Sequence, residues 1–428
     1  MKKYESYKDS GIEWIGEIPS HWEVKRGKDV LKFINGYPFN SGLFSMDENE
    51  GFPLVRIRDL KSDKITTFYK GEIVSDALIN DNDFIIGMDG DFNIVKWNKG
   101  KALLNQRLCK IEGVNHLETN YLSYSLPFYL KIINDLTYYT TVKHLSNNDL
   151  FEQKFLVPNS QEQTTIANYL DQKTTQIDHL ISKKKQFIQL LEEERVAVIN
   201  QAVTKGLDLT VPMKDSGIEW LGEIPEHWKV KKLKYFADVV LGKMLTNDDK
   251  GGYQLKPYLR AKNIEWINPN VDDVKEMWFS ENEIIQYRIK ENDLLVSEGG
   301  EVGRTCIWHN QLEESYIQNS VHKVTILEGE SNYFLNQFVL FGKYGHFDAI
   351  VNKISIAHLT KEKLKDISFI VPSIDEQSKI SKFITNKTSE IDNIISKSKQ
   401  EIELLKEYKT ALISEVVTGK VDVRDEKI

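Results

Sequence analysis

Several things are scarce in this 428-residue chain, and each scarcity excludes a class of protein. There are only two cysteines, Cys109 and Cys306, far apart and in no CxxC pair, so a disulfide framework or a zinc ribbon is not expected and a reducing compartment fits. No uncharged apolar run approaches the roughly 18 residues of a membrane span. The opening MKKYESYKDS carries no apolar stretch behind its lysines, so no secretory leader is read there and the expected location is the cytoplasm. Excess positive charge is lacking too: the formal net charge is -8. Any nucleic-acid role must therefore rest on local basic clusters rather than on the total. The 40% apolar and 28% charged composition is that of globular domains with sizeable cores.

Catalytic signatures are also missing. A P-loop needs Gly-Lys followed by Ser or Thr. The five Gly-Lys pairs, at Lys28, Lys101, Lys243, Lys343 and Lys420, are followed by Asp, Ala, Met, Tyr and Val. There is no N/D-P-P-Y/F tetrapeptide of an amino-methyltransferase and no His/Cys cluster with metal spacing. His21 and His227 stand alone and read as structural. The expectation is a non-catalytic chain with no cofactor and no metal.

What is present is a repeat. Residues 8–25, KDSGIEWIGEIPSHWEVK, return at 214–231 as KDSGIEWLGEIPEHWKVK, an offset of 206. FLVPNSQEQTTIANYLDQKTTQIDHLISKKKQ from Phe155 returns from Phe369 as FIVPSIDEQSKISKFITNKTSEIDNIISKSKQ, an offset of 214. The copies end alike, in AVTKGLD and VVTGKVD. One unit is thus written twice: a Trp- and Pro-bearing lead segment, a variable body and a helical tail. The period far exceeds that of solenoid repeats. Two bodies that differ inside matching flanks suggest two similar folds with different targets.

Within each body, short β-like runs alternate with turns: PLVRIRDL at 53–60 against PYLRAKNI at 257–264, and NDNDFIIGMDGDFN at 80–93 against KENDLLVSEGGEVG at 290–303. Residues 117–133 and 331–347 read as helical. The bodies are therefore expected to be compact α/β (α+β) domains with a twisted sheet. The tails are long amphipathic helices. Apolar residues step by sums of 3 and 4 through Ile166, Leu170, Ile177, Leu180, Leu191 and Val198, and through Ile380, Ile384, Ile391, Ile394, Leu405 and Leu412. Some 42 helical residues reach roughly 63 Å, and so narrow a stripe needs a partner. A two-fold relating the copies would set the helices antiparallel as a coiled coil. Lys173, Lys184 and Lys387 interrupt the seam and leave room for another subunit.

The lead motif DSGIEWIGEIPSHWEVK, the two helix starts bearing Glu-Gln (Pro158 to Gln163, Pro372 to Gln377) and the duplication together resemble the DNA-specificity subunits of Type I restriction–modification systems. The resemblance covers nearly the whole chain. It implies a first lead segment and target recognition domain over 1–157, a central spacer helix over 158–206, and a second lead segment and domain over 207–371. A C-terminal spacer helix over 372–420 and a tail over 421–428 complete the chain. It further implies a bipartite double-stranded DNA target, two methyltransferase subunits docked on the helices, restriction subunits joined through that complex, and no membrane. The rival reading is a protein-binding scaffold without sequence readout.

Phosphates attract Arg, Lys and backbone amides, whereas base edges are read by Arg, Asn and Gln. The candidates in the first body are Arg56, Arg58, Lys61, Gln106, Arg107, Lys143 and His144. Those in the second are Arg260, Lys262, Asn263, Arg304, Asn319, Ser320 and His358. Thr141 and Ser355 accompany the two histidines. Tyr37, Tyr138 and Tyr139 are read as packing aromatics.

Overall fold

The computed structural model describes residues 2–136, 144–218, 221–350 and 358–426. The sequence candidates Lys143, Thr141, Tyr138, Tyr139 and Ser355, and Trp220 of the second lead motif, lie outside the described residues. The chain forms two compact units. One comprises Met1–Lys185 with Lys399–Ile428, the other Gln186–Ser398.

In the first unit the lead segment makes a small hairpin, Tyr7–Asp9 against Glu17–Pro19. Glu23–Arg26 then pairs antiparallel with Lys154–Val157, with Arg26 opposite Lys154. This two-stranded neck closes the body off. Inside it lies a four-stranded antiparallel sheet in the order Ile94–Lys96, Phe84–Gly87, Leu108–Gly113, Leu31–Asn35. Beside it lies a sheet in which Phe52–Val55 and Ala102–Leu104 run parallel. The central strand Phe84–Gly87 is buried along its length, so FIIG reads as a continuous apolar run rather than an alternation. Val55, Ile85, Trp97 and Leu104 share one core.

The second unit repeats the plan. Lys229–Lys232 pairs with Ser368–Val371, with Lys232 opposite Ser368. Its four-stranded sheet runs Ala237–Leu241, Val321–Ile326, Leu294–Ser297, Thr305–Ile307. The neighbouring strand Gln254–Leu259 meets Tyr316–Ile317 in parallel. The segments read as helical are so: Thr119–Leu136 and Ser331–Lys343. The strands read at 53–60 and 257–264 end earlier than the sequence suggested. Beyond Val55 and Leu259 the chain turns into 3-10 helix, because the carboxylate of Asp59 accepts the Arg56 N–H and the amide oxygen of Asn263 accepts the Arg260 N–H, both at 3.0 Å. A side chain that caps the turn ends the ladder.

The tails are single helices, Ser160–Lys205 and Ile374–Val417. In the first unit Asp178 pairs with Lys409 at 2.7 Å and Lys184 with Glu401. One number rises as the other falls, so the helices run antiparallel there. In the second unit Arg195 meets Asp392 at 3.2 Å. The seam departs from the sequence reading at two places. Leu180 and Ile394 are exposed (44% and 42%), and Ile181, Ile188, Ile395 and Ile402 are buried instead. A coiled-coil stripe follows strict 3–4 alternation, and that alternation runs through polar Thr174, Lys184, Thr388, Ser398 and Lys409. Counting only apolar residues skips these positions and slips the register by one.

Candidate nucleic-acid interface

The repeated flanks build a frame before any site exists. Trp22 is fully buried, and its indole N–H donates to Glu162 at 3.0 Å, while His21 meets the other Glu162 oxygen at 2.7 Å. Gln163 accepts the Glu118 N–H and donates to the carbonyls of His116 and Pro158, all at 2.7 Å. The second unit matches: Trp228 and His227 hold Glu376, and Gln377 accepts the Glu330 N–H at 2.9 Å. The Glu-Gln pair is therefore a joint between lead segment, body and helix. Burial pushes the Glu376 carboxyl up, but the donors His227, Ser373 and Trp228 outweigh it and bring its pKa down to about 2.

The far helix ends close on the same tryptophans. A side chain at Gly419 would press on Pro19 and Trp22, and one at Gly206 on Trp228. Both glycines have positive φ, the left-handed stop of a helix that other residues take at a cost. Tyr121 donates to the Val417 carbonyl and Tyr333 to that of Val203. The helix stop reads Lys205-Gly206 in one copy and Gly419-Lys420 in the other. Even so, Lys205 reaches the Glu223 carbonyl and Lys420 that of Glu17, residues at the same place in each lead motif.

On this frame the candidate side chains gather at loops that follow the central strand of each body. In the first unit the N–H of Met88 donates to the Arg107 carbonyl at 3.0 Å, and the Met88 carbonyl accepts the Leu145 N–H at 2.7 Å. Three segments are thereby tied together: the turn after Phe84–Gly87, the tight turn bearing Gln106 and Arg107, and the stretch from His144. Gln106 and Arg107 are exposed in that turn. Arg107 lies 3.5 Å from one oxygen of Asp89 and His144 lies 2.7 Å from the other. Arg58 and Lys61 are exposed near Asp59 and Asp91, each at 3.9 Å, and Arg56 is half-buried beside Asp59. Burial raises the pKa of Asp59, and the Arg58 charge opposes that rise.

In the second unit the same ties recur: Glu298 N–H to the Ser320 carbonyl and Leu359 N–H to the Glu298 carbonyl, both 2.9 Å. Here the structure brings Lys262, Arg304, Asn319, Ser320 and His358 together with Glu298 around one open concavity of about 620 Å³. Arg304 donates to the Ala261 carbonyl at 3.1 Å. Ser320 accepts the Ala261 N–H at 3.0 Å and donates to Gln318 at 2.8 Å. Arg260 does not line this concavity; its guanidinium donates to the Asp273 carboxylate at 2.9 Å, which Lys262 shares at 3.1 Å. Those two donors bring the Asp273 carboxyl below its usual range.

One candidate must be withdrawn. Asn263 is 2% exposed, and its amide is used on the Asn270 and Asp273 carbonyls and on the Arg260 N–H. It shapes a loop and has no edge to offer a base. The sequence reading also missed the carboxylates Asp89, Asp273 and Glu298 that hold or face the donors. For Asp89 and Glu298 the signal was the Asp/Glu-Gly turn after an apolar strand; Asp273, in Val-Asp-Asp-Val, carried no such signal.

Among the described residues no helix is long and apolar enough to cross a membrane. Comparison with known proteins agrees with this architecture. The sequence profile of the Type I restriction modification DNA specificity domain matches residues 19–190 and again 225–404. The chain is 29% identical to the Type I restriction enzyme EcoBI specificity subunit of Escherichia coli, over 96% of this chain and 89% of that one. It is 24% identical to the MjaVIII specificity subunit of Methanocaldococcus jannaschii, over 95% of both. The fold is that of the HsdS subunit from Thermoanaerobacter tengcongensis (TM-score 0.59, 14% identity, 94% and 98% covered). It also matches a chain solved in work on complex assembly and conformational transition of the type I R-M system (TM-score 0.66, 15% identity, 94% and 99% covered). The chain belongs to the Type I restriction modification DNA specificity family, the specificity subunits of Type I restriction–modification systems.

Proposed function

We propose that each body reads one half of a bipartite double-stranded DNA target, and that the chain itself performs no catalysis. One observation carries this reading. The same backbone ties in both bodies present different side chains at three matched positions, Met88, Asp89 and Arg107 in one against Glu298, Gly299 and Ser320 in the other, beside a histidine common to both, His144 and His358. A rigid frame with interchangeable polar groups is what sequence readout requires, since phosphate contacts only position the protein and base edges specify. The chain is divided at 157, 206, 371 and 420, a reading supported by the neck strands that end at Val157 and Val371. The helices over 158–206 and 372–420 serve as spacer and as the dock for two methyltransferase subunits, with restriction subunits joining through them. The methyl donor binds those partners. Location in the cytoplasm belongs to the same reading. The scaffold alternative is disfavoured by the family.

Methylome sequencing of cells with and without the gene tests the proposal. The expected result is loss of one bipartite methylated motif. An unchanged methylome in cells that make the complete complex would overturn it.

A further inference from the structure

Resting on the reading of the second body as a DNA reader, we infer that Glu298 is a specificity-determining residue that accepts a hydrogen bond from the N4 amino group of a cytosine. Its backbone is fixed on both sides, by Ser320 and by Leu359 at 2.9 Å each. Ser297 before it is fully buried and donates to the Gly299 carbonyl at 2.8 Å. The side chain therefore projects from a rigid position into the concavity. Among the described residues no hydrogen-bond donor engages its carboxylate; burial raises its pKa, and the His358 charge opposes that rise.

The surroundings decide what such a group is for. Lys262, Arg304 and His358 suit a polyanion, while a carboxylate repels phosphate. A carboxylate among them costs affinity for every duplex and is repaid only where the ligand offers a donor. The major-groove edges offer two amino donors. Adenine places its N7 acceptor beside N6, which opposes a carboxylate, whereas cytosine presents N4 alone. Cytosine is the base this acceptor fits. The first body holds Met88 at the matched position, 8% exposed, so the two bodies differ here in the presence of an acceptor.

The test compares the full chain, co-purified with its own modification subunits, with Glu298→Gln and Glu298→Met variants in selection from randomised duplexes. The expected result is loss, by roughly tenfold or more, of preference for cytosine at one position of one half-site. The other half-site stays unchanged, which also certifies folding and assembly. Binding to random duplex should rise at the same time, since a repulsive charge is gone. Replacing that cytosine by 2-pyrimidinone, which lacks the amino group, should weaken the wild type and leave Glu298→Met indifferent. An unaltered motif, a change at a base other than cytosine, or equal loss on all sequences would overturn the inference. If the wild type selects no bipartite motif at all, the reading of the body as a DNA reader fails with it.

Discussion

The indole N–H of Trp22 donates to the Glu162 carboxylate at 3.0 Å, joining a lead segment to the first turn of a helix 140 residues away. Both groups are buried, Trp22 at 0% and Glu162 at 3% exposure. Glu162→Ala strands a buried donor, and an unsatisfied buried group costs roughly 1–3 kcal/mol. Urea unfolding should show a drop of that size. A Gln161→Ala control, on an exposed position of the same turn, should stay within about 0.5 kcal/mol.

The matching Glu376 gives a pH dependence. Its carboxyl lies at about 2 in the folded chain against an ordinary 4.5. A depressed folded pKa contributes stability that is complete above pH 4.5 and disappears as pH falls through 2. Between those values the wild type should lose stability more steeply than Glu376→Gln, which has no proton to take up. Equal slopes in acid titrations followed by fluorescence would assign the acid sensitivity elsewhere.

Arg107 stands exposed on its turn, oriented by Asp89 at 3.5 Å. Arg107→Ala should relax choice at one position of one half-site, since a lost bidentate base contact costs roughly 1–3 kcal/mol. Lys99 is no plain surface control, because its ammonium donates to the Asp59 and Ser62 carbonyls. Exposed Lys101 serves better. Comparable loss on cognate and random duplexes for Arg107→Ala would place it on the phosphates. Asp89→Asn should weaken the same discrimination partially by freeing Arg107 and His144.

The necks state where a body can be exchanged. Arg26 pairs with Lys154 and Lys232 with Ser368, so replacing 27–153 by a foreign body keeps the neck and the Trp22–Glu162 bond, while the incoming body must supply the partners of Gln163 and of the Val417 carbonyl. The methylated motif should change in one half only. A change in both halves would refute modular reading.

The helix seam separates two neighbouring residues. Ile181 is 9% exposed and Leu180 is 44% exposed. Ile181→Ala should cost roughly 2–5 kcal/mol and Leu180→Ala under about 0.5 kcal/mol, read by thermal unfolding. The reverse order would restore the seam drawn from apolar spacing alone.

By itself the sequence determined the duplication, the kind of each body, the existence and approximate length of both helices, and the family. The family rests on the resemblance of the lead motif and the Glu-Gln helix starts; the others rest on repetition and local periodicity, which a linear string carries in full. Tertiary structure decided what periodicity cannot: that the seam continues through Lys184 and Lys409, because polar residues keep register when the partner helix pairs with them. It also decided that Asn263 is spent inside a loop while Ser320, Arg304 and His358 meet Glu298 around one concavity. Residues 262, 298, 304, 320 and 358 converge only when backbone hydrogen bonds tie three distant turns together. Neither composition nor spacing encodes which carboxylate will face which cation, since that depends on where each strand ends and which way its turn is capped.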